Sequence, residues 1–284
     1  MAAAFTPHTA ASKLAHWLDA AAHAGLKRFP VEVADLALQV GKELRWSDPI
    51  FEVKAASIKG FEGGLFHIDQ RGWALLYNAS IKSPGRIRFT QAHELGHYLL
   101  HRAAQEVFEC SQADMIKWGD EKKLLESQAD EFAANLLMPM NHFRAQVPDR
   151  VDLDALSDAS VLFGVSLTSA ALQWIKSTSE SAVLLLSRDG FIDWSVSSDQ
   201  ARKNGAFFKT RNAVIELPEG SIAADDTVTS SRDGIEIPLA VWFPHAHPQA
   251  SVREMKLQCD NYQYTLTLLH LSKAEKVWRP FEEE

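Results

Sequence analysis

Two imidazoles and a carboxylate fall within five residues of this 284-residue chain, in Arg86-Ile87-Arg88-Phe89-Thr90-Gln91-Ala92-His93-Glu94-Leu95-Gly96-His97-Tyr98-Leu99-Leu100-His101. On an α-helix the spacing of His93 and His97 is one turn, so both project from one face. Together they could bind a single Zn²⁺, which takes imidazole nitrogen at roughly 2.0–2.1 Å. Glu94 sits about 100° round the helix, off the ligand line. There it would take a proton from a water that the metal acidifies, without ligating the metal itself. The pattern fixes only three positions and arises by chance in unrelated chains, so it needs a third ligand. Glu126-Ser127-Gln128-Ala129-Asp130-Glu131-Phe132-Ala133-Ala134-Asn135-Leu136-Leu137-Met138-Pro139 offers one, with Glu126 and Asp130 again one turn apart. A catalytic zinc site uses three protein ligands and an open position, and each ligating histidine has its other ring nitrogen held by an acceptor. Glu126 suits the first role and Asp130 the second. The competing reading is a solvated acidic face, against which the paired histidines weigh.

Both segments must then be helices that pack closely. Leu95, Leu99 and Leu100 support a helix around the histidines, with Thr90 as a candidate N-cap. Ala129 and Ala133 share a side with the acidic pair and permit close approach, and Pro139 ends that second helix. His101 continues the stripe of His93 and His97, but a further turn carries it about 6 Å along the axis. A hydrogen-bonding or surface role is expected for it rather than ligation. Upstream, Thr9–Leu26 reads as an amphipathic helix, with His8, His16 and His23 at the surface. Pro30 opens a second helix that Gly41 could end. Ile50–Ala56, Leu65–Asp69 and Gly72–Asn78 read as strands. Arg102–Lys123, containing Cys110, Asp114, Trp118 and Asp120, reads as a loop with at most one helical turn, a wall or lid beside the site. Metal ligation by Cys110 is disfavoured.

Through RFTQAHELGHYLLH followed by ESQADEFAANLLMP, the chain resembles the ImmA/IrrE family of metallopeptidases. The resemblance spans about residues 25–175. It implies a mainly helical, zincin-like peptidase domain with a small sheet, His93, His97 and Glu126 as metal ligands, and Glu94 as general base. At Asp130 the family often has Asn or Asp. The resemblance also nominates Gly72–Asn78 as an edge strand that binds extended substrate, a fully buried strand being the alternative. It implies a narrow substrate class: a helix-turn-helix transcriptional repressor, cut once to release stress-response or mobile-element genes.

Further along, Ser160-Val161-Leu162-Phe163-Gly164-Val165-Ser166 leads into Leu167–Lys176, a helix-turn-helix-like signature spanning residues 152–176. The second helix offers only Gln173 and Lys176, with Asp152, Asp154 and Asp158 nearby, so a structural helix pair is expected and direct DNA binding is not. The peptidase domain is therefore expected over residues 1–176. A polar linker precedes strand-rich sequence at 182–280, including a hairpin around Arg188-Asp189-Gly190 and a turn at Asp260-Asn261. This reads as a smaller α+β domain on an antiparallel sheet. Some members of the resembled family carry a GAF-like sensor here, though no fingerprint of one is present. His245 and His247 sit in a proline-framed loop that reads as exposed, and the end from Lys276 as an acidic tail.

Composition narrows the class. The overall expectation is α+β, with 46% hydrophobic and 23% charged residues sufficient for one substantial core and a smaller second domain. A net charge of −8 disfavours nonspecific attraction to nucleic acid or anionic lipid. Two cysteines, Cys110 and Cys259, are too few for a disulfide framework, and no apolar run approaches the roughly 20 residues of a membrane helix. Residues 1–25 lack the basic start of a signal peptide, so a reducing, cytoplasmic setting is expected. Carboxylate and imidazole ligation suits Zn²⁺, with Mn²⁺ the alternative. Tyr77, Tyr98, Arg86 and Arg88 are the candidate oxyanion donors. Two other readings stay open, a non-proteolytic regulator with a structural metal site and a toxin–antitoxin component.

Overall fold

The structure, a computed structural model, describes residues 5–57, 60–110, 120–259 and 263–278. It is α+β, with eight α-helices and two sheets among the described residues. The chain divides into two compact units, residues 1–143 with 160–166, and residues 144–159 with 167–284.

The first unit opens with α1 (Pro7–His23), started by a reciprocal capping box between Thr6 and Thr9. In α2 (Val33–Glu43), Gly41 lies inside the helix rather than at its end. A Cβ there would stand 2.7 Å from Tyr98 Oη and 2.9 Å from Pro49 Cα, so close packing, not helix termination, explains the glycine. A four-stranded sheet follows from β1 (Ile50–Ala56), β2 (Gly63–Ile68), β3 (Gly72–Asn78) and β4 (Val107–Cys110), in the order β1-β3-β2-β4. Only the β1–β3 pair is parallel.

Two expectations fail here. β3 is interior, hydrogen-bonded to β1 on one side and β2 on the other, so it has no free edge for a substrate strand. The outer strands are β1 and β4, and β4 lies inside the stretch expected to be loop; four residues are too few to show a strand periodicity. Residues 111–119, with Asp114 and Trp118, lie outside the described residues, as do the side chains of Cys110 and Asp120.

The histidine-bearing helix, α3 (Pro84–Leu100), starts two turns earlier than expected. Ser83 is its N-cap, accepting from the Arg86 amide, and Pro84 occupies the first turn where its missing N–H costs nothing. Thr90 is therefore mid-helix. Next come α4 (Asp120–Leu137) and α5 (Met140–Gln146), with Pro139 between them. Arg88 donates to the Val31 and Gly164 carbonyls and so ties α3 to two distant loops.

The second unit takes in most of α6 (Leu153–Phe163) and all of α7 (Leu167–Ser177). Between these helices Gly164 has φ +63, a left-handed conformation that glycine adopts without strain. Gln173, the polar residue expected on the second helix, is only 4% exposed and presents nothing to a groove. The sheet is wholly antiparallel: β5 (Ser181–Arg188), β6 (Phe191–Ser197), β7 (Ser230–Pro238), β8 (Ser251–Cys259) and β9 (Tyr264–Leu271), ordered β6-β5-β9-β8-β7. Asp189 and Gly190 both have positive φ and close the β5–β6 hairpin. A short helix, α8 (Asp199–Lys203), follows it. β7 ends at Pro238, and Leu239–Val241 form a 3₁₀ turn. Val183, Leu185, Trp242, Val252 and Leu269 form its core. His245 and His247 are exposed, while the Asp260-Asn261 turn and the tail beyond Trp278 lie outside the described residues. Among the described residues no single helix is long and apolar enough to cross a membrane.

Candidate metal centre

α3 and α4 touch where both carry small residues. A Cβ on Gly96 would meet Phe132 Cδ1 at 3.0 Å and Ala129 Cα at 3.2 Å, and Ala129 and Ala133 are fully buried. This close approach brings three polar side chains together. His93 Nε2 lies 3.0 Å from His97 Nε2 and 3.0 Å from Glu126 Oε2, and His97 Nε2 is 3.6 Å from Glu126 Oε1. Each residue offers a ligand atom within 4.8 Å of the other two. Four ligands at the corners of a zinc tetrahedron, roughly 2.0–2.2 Å from the ion, stand roughly 3.4 Å apart. The observed spacings bracket that value, and two imidazoles with a carboxylate are the donor set that zinc accepts.

Both histidines are held from behind. His93 Nδ1–H donates to Asp130 Oδ1 at 2.9 Å, which is the arrangement expected of Asp130. His97 Nδ1 is 3.0 Å from His101 Nδ1, and His101 Nε2 is 2.9 Å from Gln128 Oε1. His101 is therefore a buried hydrogen-bonding residue. Phe108 of β4 stacks on the His97 ring at 4.7 Å between centroids, which fixes the ring plane. Burial pushes His97 down to about 4 against the pull of Glu126, so the ring is uncharged at neutral pH. Burial alone would raise the Glu126 carboxyl. Hydrogen bonds from His93 and His97 outweigh it and hold the group well below the usual carboxylate range.

Glu94 is fully buried on the side of α3 that faces β2. Its Oε1 is 2.8 Å from where a Cβ on Gly63 would stand, and the Thr90 methyl is closer still, so any larger residue at that strand position must displace these side chains. Tyr77, directly opposite Gly63 in the β2–β3 register, shares its sheet face. Of the candidate oxyanion donors, Tyr98 is fully buried with its hydroxyl on the Asp48 carbonyl, and Arg88 is engaged with two backbone carbonyls. Arg86 pairs with Glu62.

Residues 49–174 match the model of the peptidase M78 family, described as the IrrE N-terminal-like domain. That stretch, less than half of the chain, is similar to that family. The M78 family is one of metal-dependent peptidases, and the match encloses every residue of the cluster. No curated protein matches the chain. Within the M78 domain, sequence reasoning overlooked Gly63, Phe108 and Gln128. Gln128, two residues from both Glu126 and Asp130, lies off their helix face, so spacing gave no sign of its contact with His101. Gly63 and Phe108 come from strands whose pairing no local pattern reveals.

Proposed function

We propose that this protein is a zinc-dependent endopeptidase that cuts a protein substrate. The observation that carries the reading is the convergence of His93, His97 and Glu126 within 4.8 Å, with Asp130 behind His93. A zinc ion held by these groups would acidify a water and polarise the scissile carbonyl. Glu94 takes the proton of the attacking water and passes it to the departing amine nitrogen, acting first as base and then as acid. Its burial against Gly63 fixes the carboxylate in place. The outer side of β4, which no other strand pairs with among the described residues, receives the extended substrate by β-augmentation, beside the Phe108 that braces His97. Tyr77 is the candidate side chain left to stabilise the oxyanion, since Arg86 is paired with Glu62.

The substrate proposed is a helix-turn-helix transcriptional repressor, cleaved to release stress-response or mobile-element genes, in the cytoplasm. The support is the family match together with the net charge of −8, which suits a basic protein partner better than DNA. The peptidase domain is assigned to residues 1–176, including the helix pair, and a sensor role to residues 182–280. Co-expression with the neighbouring gene product, followed by intact-mass analysis, tests the reading. Two complementary fragments are expected, lost with a chelator and lost in Glu94→Gln although that variant still binds zinc. Cleavage by Glu94→Gln at the wild-type rate would overturn the assigned chemistry.

A further inference from the structure

Behind His97 lies a row of groups whose proton positions are determined by one another. His97 Nδ1 faces His101 Nδ1 at 3.0 Å, and His101 Nε2 faces the Gln128 side chain at 2.9 Å. Two ring nitrogens in contact share one proton, so if one donates the other must accept. Ligation through His97 Nε2 requires that nitrogen to be bare, which puts the proton on His97 Nδ1. His101 Nδ1 must then accept, its proton resides on Nε2, and Gln128 must present its carbonyl oxygen. With the Gln128 amide turned round, its NH₂ would donate to His101 Nε2 and every proton in the row would reverse. His97 would then carry its proton on Nε2, where the cation binds.

We infer that Gln128, acting through His101, is a positioning residue that sets the tautomer of His97 and thereby the metal affinity of the site. This rests on the zinc-site reading given above. The two histidine ligands are supported differently. His93 leans on Asp130, an acceptor that can only hold its proton on Nδ1, whereas His97 leans on a chain whose polarity depends on which end of an amide points inward. His101 is 5% exposed and flanked by the Phe108 ring, so water does not readily substitute for Gln128 along this path. Gln128 itself is half-buried on α4, two residues from Glu126, a place where substitution leaves the core intact.

The test changes the polarity of the far end without touching a ligand. Gln128→Glu can only accept and holds the row in its metal-competent sense; Gln128→Lys can only donate and reverses it. Zinc affinity of the full chain is measured by competition with a chromophoric chelator, alongside thermal melts of the metal-free proteins. Wild type and Gln128→Glu are expected to bind within a few-fold of each other. Gln128→Lys is expected to bind at least about tenfold more weakly, the usual scale for losing an outer partner of a metal ligand. Long-range ¹H–¹⁵N correlation spectra of the zinc-loaded wild type supply a readout independent of any variant. They should show His97 protonated on Nδ1 and His101 on Nε2. His101 protonated on Nδ1, or a normally folded Gln128→Lys with wild-type affinity, overturns the inference while leaving the zinc site standing. Wild-type zinc binding that survives His93→Ala and His97→Ala removes the site reading and this inference with it.

Discussion

Each unit buries a glutamate among polar partners, and the two clusters are built on opposite principles. In the second unit Glu254 is fully buried and accepts the Trp242 indole N–H at 2.8 Å and the Ala223 amide at 2.6 Å. Lys256, two residues along the same strand, donates to the Asp225 carbonyl. Donors meet acceptors there, and nothing further is required. In the first unit His93 Nε2, His97 Nε2 and the Glu126 carboxylate converge on one place. Such a convergence of ligand atoms could hold a cation, whereas complementary pairs need only one another. Burial alone therefore does not mark a functional site. The convergence of ligand atoms does.

The widest separation between the clusters comes from removing each glutamate. Glu126→Ala is expected to weaken zinc binding by more than about 100-fold, beyond what outer partners typically contribute, while the metal-free protein melts near the wild-type temperature. Glu254→Ala strands a buried indole N–H and a backbone N–H, costing about 1–3 kcal/mol for each, and leaves zinc affinity unchanged. Chelator competition and thermal denaturation of both variants check the pair. A smaller effect, confined to catalysis, is expected from Gly63→Ala. The added methyl displaces the Glu94 carboxylate, and a shift on the order of 1 Å costs up to about 100-fold in turnover with zinc content unaltered. Steady-state kinetics with metal analysis separates the two quantities. Asp130→Asn keeps an acceptor but loses its charge and is expected to weaken zinc binding by about tenfold.

Acid sharpens the same contrast through the signs of the shifts. His97 is lowered from 6.5 to about 4, so between those values the unfolded metal-free chain binds more protons and stability falls as pH drops. Glu126, held low by two imidazoles, adds stability that is lost as pH falls below about 4.5. Glu254 is raised, first by burial, so its contribution is complete below about 4.5 and is lost as pH rises through its elevated value. Melting temperatures across pH 4–8 should show a shallower acid decline in His97→Phe and loss of the opposing slope in Glu254→Gln.

Much of the metal cluster was legible because its geometry is local. One helical turn separates His93 from His97 and Glu126 from Asp130, and the small side chain of Ala129 announced the helix contact. The strands β1 and β3 were also readable to the residue, their apolar runs being bounded by turn chemistry. What could not be read depends on pairing between distant segments. Whether β3 is edge or interior is decided by β1 and β2, and β4 is too short to signal itself. The space that Gly63 leaves for Glu94 exists only once β2 lies against α3. Thr90 looked like a cap because apolar spacing begins near it. Ser83-Pro84 is a better start by its own chemistry, a side-chain acceptor followed by a residue with no N–H to satisfy.

The central claim, that two imidazoles and one carboxylate hold a single zinc ion, is tested most directly by the zinc K-edge X-ray absorption spectrum of the full-length chain. The account predicts one zinc per chain in a shell of nitrogen and oxygen at roughly 2.0–2.2 Å, with outer scattering from two imidazole rings. A sulfur shell at roughly 2.3 Å, from Cys110 or Cys259, or scattering without two imidazoles, would contradict it.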